Sequence, residues 1–498
     1  MRLPRSSGIL LHPTSLPGPH GSGDLGAAAR HFIDWLAVGE QRLWQVLPLG
    51  GIGPGNSPYM SDSAFAGNPL LVDLQELQQH GWLREEELEP ADGFSAQRVD
   101  YTIVVPWRLQ RLQRAAERFF DQADAAARAQ YEEFCAREAE WLDDYALFKA
   151  LETAAAGQSW QQWPSELARR ESAALQRARR RYADPERVQR FIQWCFFRQW
   201  QAVRDHARSR RVQLVGDAPI FVAAQSADVW AHPELFELDA DGWPCAVAGV
   251  PPDYFSATGQ RWGNPLYVWP AHARENYAWW IARIRHAMRS FDVLRIDHFR
   301  GFAAYWRVPA DSPTAVNGHW VEGPGKALFD ALAQALGPLP IIAEDLGLLT
   351  EDVIALRRHC GFPGMKVLGF AWDGDPDNVM LPHHYTPDTV VYTGTHDNDT
   401  ICGWWAGCDQ AVRRQVREYL QIDGRQIHWD FIRAACASVA DTAIQPLQDV
   451  LGLGSEHRMN TPGVGEGCWE WRFSWSEVGP QPAERLAALA RTYGRIAP

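Results

Sequence analysis

Short apolar runs, each ending at a polar residue or a loop, recur along the chain. They are rich in β-branched and aliphatic residues and do not alternate strictly between apolar and polar positions. Such runs are typical of strands that are buried on both faces, as in a parallel sheet. We predict strands of this kind within residues 44–49, 212–217, 293–297, 340–344, 365–370 and 390–397.

Amphipathic helices are predicted between these strands. Within residues 270–290, Tyr277, Trp280 and Ile284 follow the i, i+3, i+7 spacing of one helix face. Another helix is expected to be capped by Thr350 and to end at Gly361. Because strands and helices alternate, the pattern indicates an α/β fold.

The spacing of the strand ends favours a (β/α)₈ TIM barrel. A barrel uses about 30 residues per βα unit, and the intervals from Glu344 to Phe370 and from Phe370 to Asp397 each match one unit. The interval from Asp297 to Glu344 matches a unit with an inserted loop. A doubly wound sheet is the alternative, but it offers one switch point instead of acidic residues on several strand ends.

About half of the chain exceeds the needs of a bare barrel, and we expect it to form insertions. Our prediction is a single catalytic barrel over 1–498, with a mainly helical insertion at 75–205. Residues 223–290 are expected to form a loop and helix insertion that carries a loop at 249–267, and 300–330 a further long loop over the active face. No C-terminal β-sandwich is expected.

Composition narrows the classes of partner. Lys+Arg 48 against Asp+Glu 61 gives a net charge of −13, which disfavours nucleic acid and anionic membranes as partners. No apolar run approaches the ~18–20 residues of a membrane span. The eight scattered cysteines are typical of a reducing compartment, so we expect a cytoplasmic enzyme. The 24 tryptophans either belong to the core or offer stacking faces for sugar rings.

Three motif lookalikes do not support a metal or a cofactor. The glycines of 51–55 follow a predicted strand, but Pro54 blocks the helix that a dinucleotide site requires. The acidic run at 373–377 lacks the later ligands of a calcium loop. The adjacent His383 and His384 would point to opposite faces of a strand. We therefore expect neither a metal nor a cofactor.

Two carboxylates at predicted strand ends have the chemistry for glycosidic bond cleavage. Arg295 and Asp297 share one face of a strand, and the cation favours the ionised carboxylate that a nucleophile needs. Glu344 follows an apolar run, so we expect a raised pKa, which suits a general acid. A charged and a neutral carboxyl group together form the pair that cleaves glycosidic bonds. The alternative is that these acids pair with arginine for structural reasons.

Eight motifs resemble those of the amylomaltases, and the resemblance extends from about residue 8 to residue 472. These enzymes are 4-α-glucanotransferases, or disproportionating enzymes, of glycoside hydrolase family 77 in the α-amylase-like superfamily. The 249–267 motif is specific to that family. The similar segments are 11–18 (LHPTSLPG), 56–69 (NSPYMSDSAFAGNP), 216–222 (GDAPIFV), 249–267 (GVPPDYFSATGQRWGNPLY), 295–301 (RIDHFRG), 343–347 (AEDLG), 394–399 (GTHDND) and 458–463 (RMNTPG).

The resemblance implies a role for each matching residue. It makes Asp297 the nucleophile, Glu344 the acid/base and Asp397 a third carboxylate that holds sugar hydroxyls. It also implies groups around the donor sugar, a mobile loop over the cleft and a residue on the acceptor side. These substrate-binding residues are Tyr59, Asp217, Arg295 and His396 for the donor, Asp253, Tyr254, Phe255 and Trp262 for the loop, and Asn460 for the acceptor side.

The resemblance also implies the reaction. A segment of an α-1,4-glucan would be transferred to the 4-OH of another glucan or of glucose, so starch, glycogen, maltodextrin and maltooligosaccharides are the expected partners. Two alternatives stay open at this point. One is an α-1,4-glucan hydrolase of the same superfamily, and the other is a non-catalytic glucan-binding protein.

Overall fold

Eight parallel strands close into a barrel in a computed structural model that describes residues 3–252, 256–347 and 349–496. Around the barrel the strands follow the order β1, β12, β11, β10, β9, β6, β3, β2, and β2 pairs again with β1. The predicted (β/α)₈ architecture is therefore confirmed. In chain order the strands are β1 (Ser6–Leu10), β2 (Leu43–Gln45), β3 (Gln213–Ala218), β4 (Ala246–Val250), β5 (Gln260–Pro265), β6 (Val293–Ile296), β7 (Ala304–Pro309), β8 (His319–Glu322), β9 (Ile341–Ala343), β10 (Gly364–Val367), β11 (Thr389–Tyr392) and β12 (Thr442–Pro446).

Each of the six predicted strand segments overlaps a barrel strand, with boundaries that agree to within a few residues, but β1 and β12 were not predicted. Their sequences, SSGIL and TAIQP, carry polar residues at positions that are nevertheless fully buried. A β-carbon on Gly8 would lie 2.4 Å from the carbonyl oxygen of Leu43, so the close contact between β1 and β2 requires glycine. These polar residues interrupt the apolar run on which the strand prediction relied.

Helices surround the barrel and make up most of the insertions. Residues 75–205, where we expect a helical insertion, contain the helices from α3 to α7 and most of α8. The helices are α1 (Ala27–Val38), α2 (Leu74–Gln79), α3 (Tyr101–Gln122), α4 (Ala125–Arg137), α5 (Ala139–Ala154), α6 (Ser165–Ala168), α7 (Ser172–Arg181), α8 (Ala183–Ser209), α9 (Ala227–Ala231), α10 (Trp269–Arg274), α11 (Ala278–Ser290), α12 (Gly325–Leu336), α13 (Glu351–Cys360), α14 (Ile401–Gly407), α15 (Gln410–Leu420), α16 (Ile427–Ala437), α17 (Leu447–Leu451), α18 (Trp475–Val478) and α19 (Gln481–Thr492).

Two helix predictions need correction in detail. The single helix expected at 270–290 is interrupted, because Asn276 and Tyr277 both adopt left-handed backbone angles between α10 and α11. Helix α13 ends at Gly361 with φ 66°, as predicted, but the Thr350 side chain makes no capping hydrogen bond to the backbone.

A second sheet lies outside the barrel. It is antiparallel, in the order β5-β4-β7-β8, and it contains residues 249–250 and 260–265 of the family-specific motif. Residues 300–330 were expected to form a long loop, but β7 and β8 occupy part of them. Strand β8 was missed because it is an edge strand with a largely exposed sequence, HWVE, which lacks the apolar run on which the prediction relied.

The hydrophobic core is continuous between the barrel and the helical insertion. Trp44, Trp200, Trp230 and Trp280 are among its largest fully buried side chains. The tryptophan excess therefore belongs largely to the core. No helix in the described part of the chain is long and apolar enough to cross a membrane.

Candidate active site

Four of the predicted site carboxylates lie at or just beyond the carboxyl ends of barrel strands. Asp217 is near the end of β3, Asp297 directly follows β6, Glu344 directly follows β9, and Asp397 lies in the loop after β11. Parallel strands in a closed barrel bring these ends to one face, which is where barrels of this type place their chemistry.

A buried ion network forms the floor of the site. Both guanidinium NH₂ groups of Arg295 donate hydrogen bonds: Nη1 to the two carboxylate oxygens of Asp217 (2.7 and 2.8 Å), and Nη2 to Oδ1 of Asp297 (2.8 Å). Burial lowers the pKa of Arg295, but the charges of Asp217 and Asp297 raise it by more. The net shift is upward, so the guanidinium group stays cationic. Asp297 consequently has a fixed positive charge behind it, while its own side chain is 29% exposed.

Tyr59 covers the Asp217 side of this floor. Its hydroxyl donates to Oδ2 of Asp217 (2.7 Å), and its ring stacks on His396 with centroids 5.1 Å apart. Trp469 contacts both rings at 5.8 Å. A short 3₁₀ helix at Pro58–Met60 orients Tyr59, and the Ser57 side chain accepts a hydrogen bond from its backbone N–H. The arrangement provides a flat aromatic surface beside a charged floor, which suits a sugar ring.

Glu344 is held by the backbone on both oxygens. Oε2 accepts from the N–H of His298 (2.7 Å) and Oε1 from the N–H of Leu346 (2.9 Å). Burial, reinforced by the charge of Asp297, raises the pKa of Glu344 to about 8, although Arg295 and the two N–H groups act in the opposite direction. The direction of this shift agrees with the expectation from the sequence, and it favours the protonated form of Glu344 near neutral pH.

Asp397 differs from its neighbour Asp399, a distinction that the sequence did not offer. Oδ1 of Asp397 accepts from the Asn460 side chain (2.6 Å) and lies 3.3 Å from Nε2 of His396, and the Asp397 side chain is 45% exposed. Asp399 is instead bonded to Ser455 (2.8 Å), so it holds two loops together. Asp397, His396 and Asn460 therefore form one open polar group.

Trp262 is the described member of the predicted loop set. It lies on β5, and its ring meets the His298 ring edge to face at 4.8 Å. The predictions for Asp253, Tyr254 and Phe255 fall outside the described residues.

Sequence reasoning missed three residues at this site. Trp469 contacts Tyr59 and His396, Arg458 donates to the backbone oxygen of Asp397 (3.0 Å), and His298 bonds Glu344. Arg458 and His298 lie inside the motifs at 458–463 and 295–301, but the sequence does not indicate a role for either residue. Trp469 has no sequence signal of its own, since its contacts come from chain segments distant in sequence.

The motif lookalikes have structural explanations. Asp373, Asp375 and Asn378 form a set of side-chain-stabilised turns. His383 and His384 lie in a 3₁₀ helix with ring centroids 4.0 Å apart, so the strand geometry assumed for them was wrong. No group of three or more metal-ligating side chains occurs within the described ranges.

Comparison with known proteins identifies the family. A family model described as 4-alpha-glucanotransferase matches residues 11–477. The 4-alpha-glucanotransferase of Thermus thermophilus is 48% identical, over 100% of both chains. The chain belongs to the 4-alpha-glucanotransferase family. A plastid member of that family from Solanum tuberosum is 45% identical, covering 99% of this chain and 87% of its own.

The fold of a solved 4-alpha-glucanotransferase agrees with this assignment. The amylomaltase from Streptococcus agalactiae in complex with acarbose has 36% identity and a TM-score of 0.96, over 99% of each chain. The chain is therefore an enzyme, a 4-alpha-glucanotransferase of the amylomaltase type. Neither the hydrolase nor the non-catalytic binding protein is favoured.

Proposed function

We propose that Asp297 and Glu344 break and remake α-1,4 bonds by a retaining double displacement. Asp297 attacks the anomeric carbon while the glycosidic bond breaks, and Glu344 gives its proton to the departing oxygen. Glu344 then removes the proton from the 4-OH of an acceptor, whose oxygen attacks the same carbon and displaces Asp297. The enzyme returns to its starting protonation state after each transfer.

The observation that carries this proposal is the contrast between the two carboxyl groups. Arg295 pairs with Asp297 at 2.8 Å and places a fixed positive charge against its carboxylate. Glu344 is buried beside it, with a pKa raised to about 8, and so holds the proton that the leaving oxygen needs. One charged and one protonated carboxyl group at adjacent strand ends meet the requirement for this chemistry.

The remaining site residues bind the substrate in this proposal. Tyr59, Asp217, Arg295 and His396 surround the donor sugar, and Asp397 holds its hydroxyls with support from Asn460. Trp262 offers an apolar face on the acceptor side. The same part is proposed for the undescribed residues of its loop, Asp253, Tyr254 and Phe255.

We expect α-1,4-glucans and maltooligosaccharides as donors, and glucose or a second glucan as acceptor. The structure of the Streptococcus agalactiae amylomaltase contains that enzyme in complex with acarbose. The cytoplasmic location stays a prediction from composition.

Incubation with maltotriose tests the reaction. Chromatography should show glucose together with a ladder of longer maltodextrins. Glucose and maltose without longer products would instead indicate hydrolysis, and unchanged maltotriose would indicate binding alone.

Glu344→Gln tests the assignment of the acid. We expect turnover of maltotriose to fall by about 10²–10⁴, the usual contribution of acid–base catalysis. Asp345→Asn is the matched control, because Asp345 is a buried acid at the same strand end that is bonded to the Met365 N–H (2.8 Å) and to Arg357 (3.1 Å). That control should lower thermal stability more than the turnover of the folded enzyme. Unchanged turnover in Glu344→Gln would remove Glu344 from the role.

A further inference from the structure

His298 has an unusual backbone conformation next to the nucleophile. Its φ of 49° and ψ of 48° are left-handed, and histidine is one of the few non-glycine residues enriched there. This conformation directs its N–H to Oε2 of Glu344 at 2.7 Å. The backbone of His298 thus fixes the acid/base, independently of the side chain.

The side chain of His298 makes a separate contact. Its ring lies edge to face against Trp262, with centroids 4.8 Å apart and planes at 86°. On the other side it is close to the chain, since a β-carbon on Gly301 would lie 3.1 Å from Cδ2 of the ring. Nε2 is buried and has no hydrogen-bond partner among the described residues. Burial lowers the pKa of His298 to about 4, so the ring is neutral at physiological pH.

Trp262 packs against the edge of the main hydrophobic core, but its described hydrogen bonds and ring contacts are few. Its indole N–H donates to the Gln260 side chain on the same strand (3.1 Å), and its other described ring contact, with Phe221, is longer at 6.5 Å. Of the two described ring contacts of Trp262, the one with His298 is therefore the closer. It is the contact that orients the indole from the barrel side.

We propose that His298 is a positioning residue whose ring fixes the Trp262 indole relative to the Glu344 carboxyl group. It thereby determines how often an acceptor sugar, instead of water, receives the glycosyl group. The inference rests on the proposed function. One residue fixes the proton-transfer group through its backbone and the acceptor-side indole through its ring. Loss of the ring should then affect acceptor capture more than bond cleavage, because the N–H to Glu344 is retained.

His298→Asn tests this, since asparagine also tolerates left-handed angles. We expect the ratio of transfer to hydrolysis on maltotriose to fall about two- to tenfold, the range for one lost aromatic contact, and the KM for glucose as acceptor to rise. The alkaline limb of the pH profile should stay in place, because the backbone N–H still bonds Glu344. His298→Gly, which adopts φ 49° without strain, is the second variant if His298→Asn does not fold.

Two comparisons make the outcome decisive. His319→Asn replaces an exposed histidine on β8 of the same sheet and should leave the ratio unchanged. In a double-mutant cycle, Trp262→Ala should lower the ratio, and adding His298→Asn to it should lower it little further. An unchanged ratio in His298→Asn, or fully additive effects, would overturn the inference. If the wild-type enzyme forms no ladder at all, the proposed function itself fails.

Discussion

The two sides of the cleft are built differently. The loop that carries Tyr59 is fixed from behind by the helical insertion: Gln193 exchanges two hydrogen bonds with the Gly67 backbone (2.7 and 2.9 Å), and Lys149 pairs with Asp62 (2.7 Å). In the β4–β5 pair, strand β4 is mostly buried, but β5 is half-buried or exposed from Gln260 to Gly263, and the ladder contains a register shift. Trp262 bonds within its own strand.

This difference corresponds to two demands of glycosyl transfer. The donor sugar occupies the same place in both half-reactions, so rigid, prearranged groups lower the barrier each time. The acceptor side must release one glucan and admit another, and the partly exposed first half of β5 makes such an exchange less costly in free energy. Substitutions on the donor side should therefore have larger effects than substitutions on the β4–β5 hairpin.

Arg295→Met should have the largest effect, because it removes the cation shared by Asp217 and Asp297. Breaking a buried ion pair by removing one partner costs about 3–5 kcal/mol of unfolding free energy. We expect a loss of that size in denaturant unfolding and near-complete loss of transfer activity. A destabilisation below about 1 kcal/mol would show that the network does not fix the donor side.

The pH dependence of the Glu344 carboxyl should give the next largest effect. Its pKa in the folded enzyme is about 8 against an ordinary 4.5, so cleavage should decline about tenfold per pH unit above 8 as the acid loses its proton. The folded state binds the extra proton between 4.5 and 8, so the stability from this group is lost as pH rises through that window. Comparing unfolding at several pH values in wild type and Glu344→Gln checks this, because a slope that persists in the variant would belong to another group.

The sequence predicted the barrel and the chemistry of its floor more completely than the surroundings. Asp297 and Glu344 follow apolar runs, and strand-end position with local charge indicates their roles without any resemblance. Asp397 could not be separated from Asp399, because their difference lies in partners more than 50 residues away, Asn460 and Ser455.

The remaining misses have similar physical causes. Strands β1 and β12 carry polar residues that interrupt the apolar run although they are buried, and β8 is an exposed edge strand. Trp469 reaches the site through chain packing alone, and a left-handed angle at His298 is not encoded by any pattern of hydrophobic positions. The local pattern of hydrophobic positions therefore predicts helices and strands. Contacts between distant parts of the chain decide which residues surround the catalytic carboxylates.

A pair of smaller substitutions compares the two sides directly. Gln193→Ala leaves the N–H and C=O of Gly67 without their buried partners, so we expect a loss of about 1–3 kcal/mol and a higher KM for maltotriose as the Tyr59 loop loosens. Arg261→Ala removes an exposed side chain on β5 that donates to the Ala310 backbone just after β7 (2.9 Å), and should change stability by no more than about 0.5 kcal/mol. Denaturant unfolding and donor kinetics on both variants measure the contrast. Equal losses would mean that the hairpin is held as firmly as the Tyr59 loop, and the division between a fixed donor side and a loosely held acceptor side would have to be abandoned.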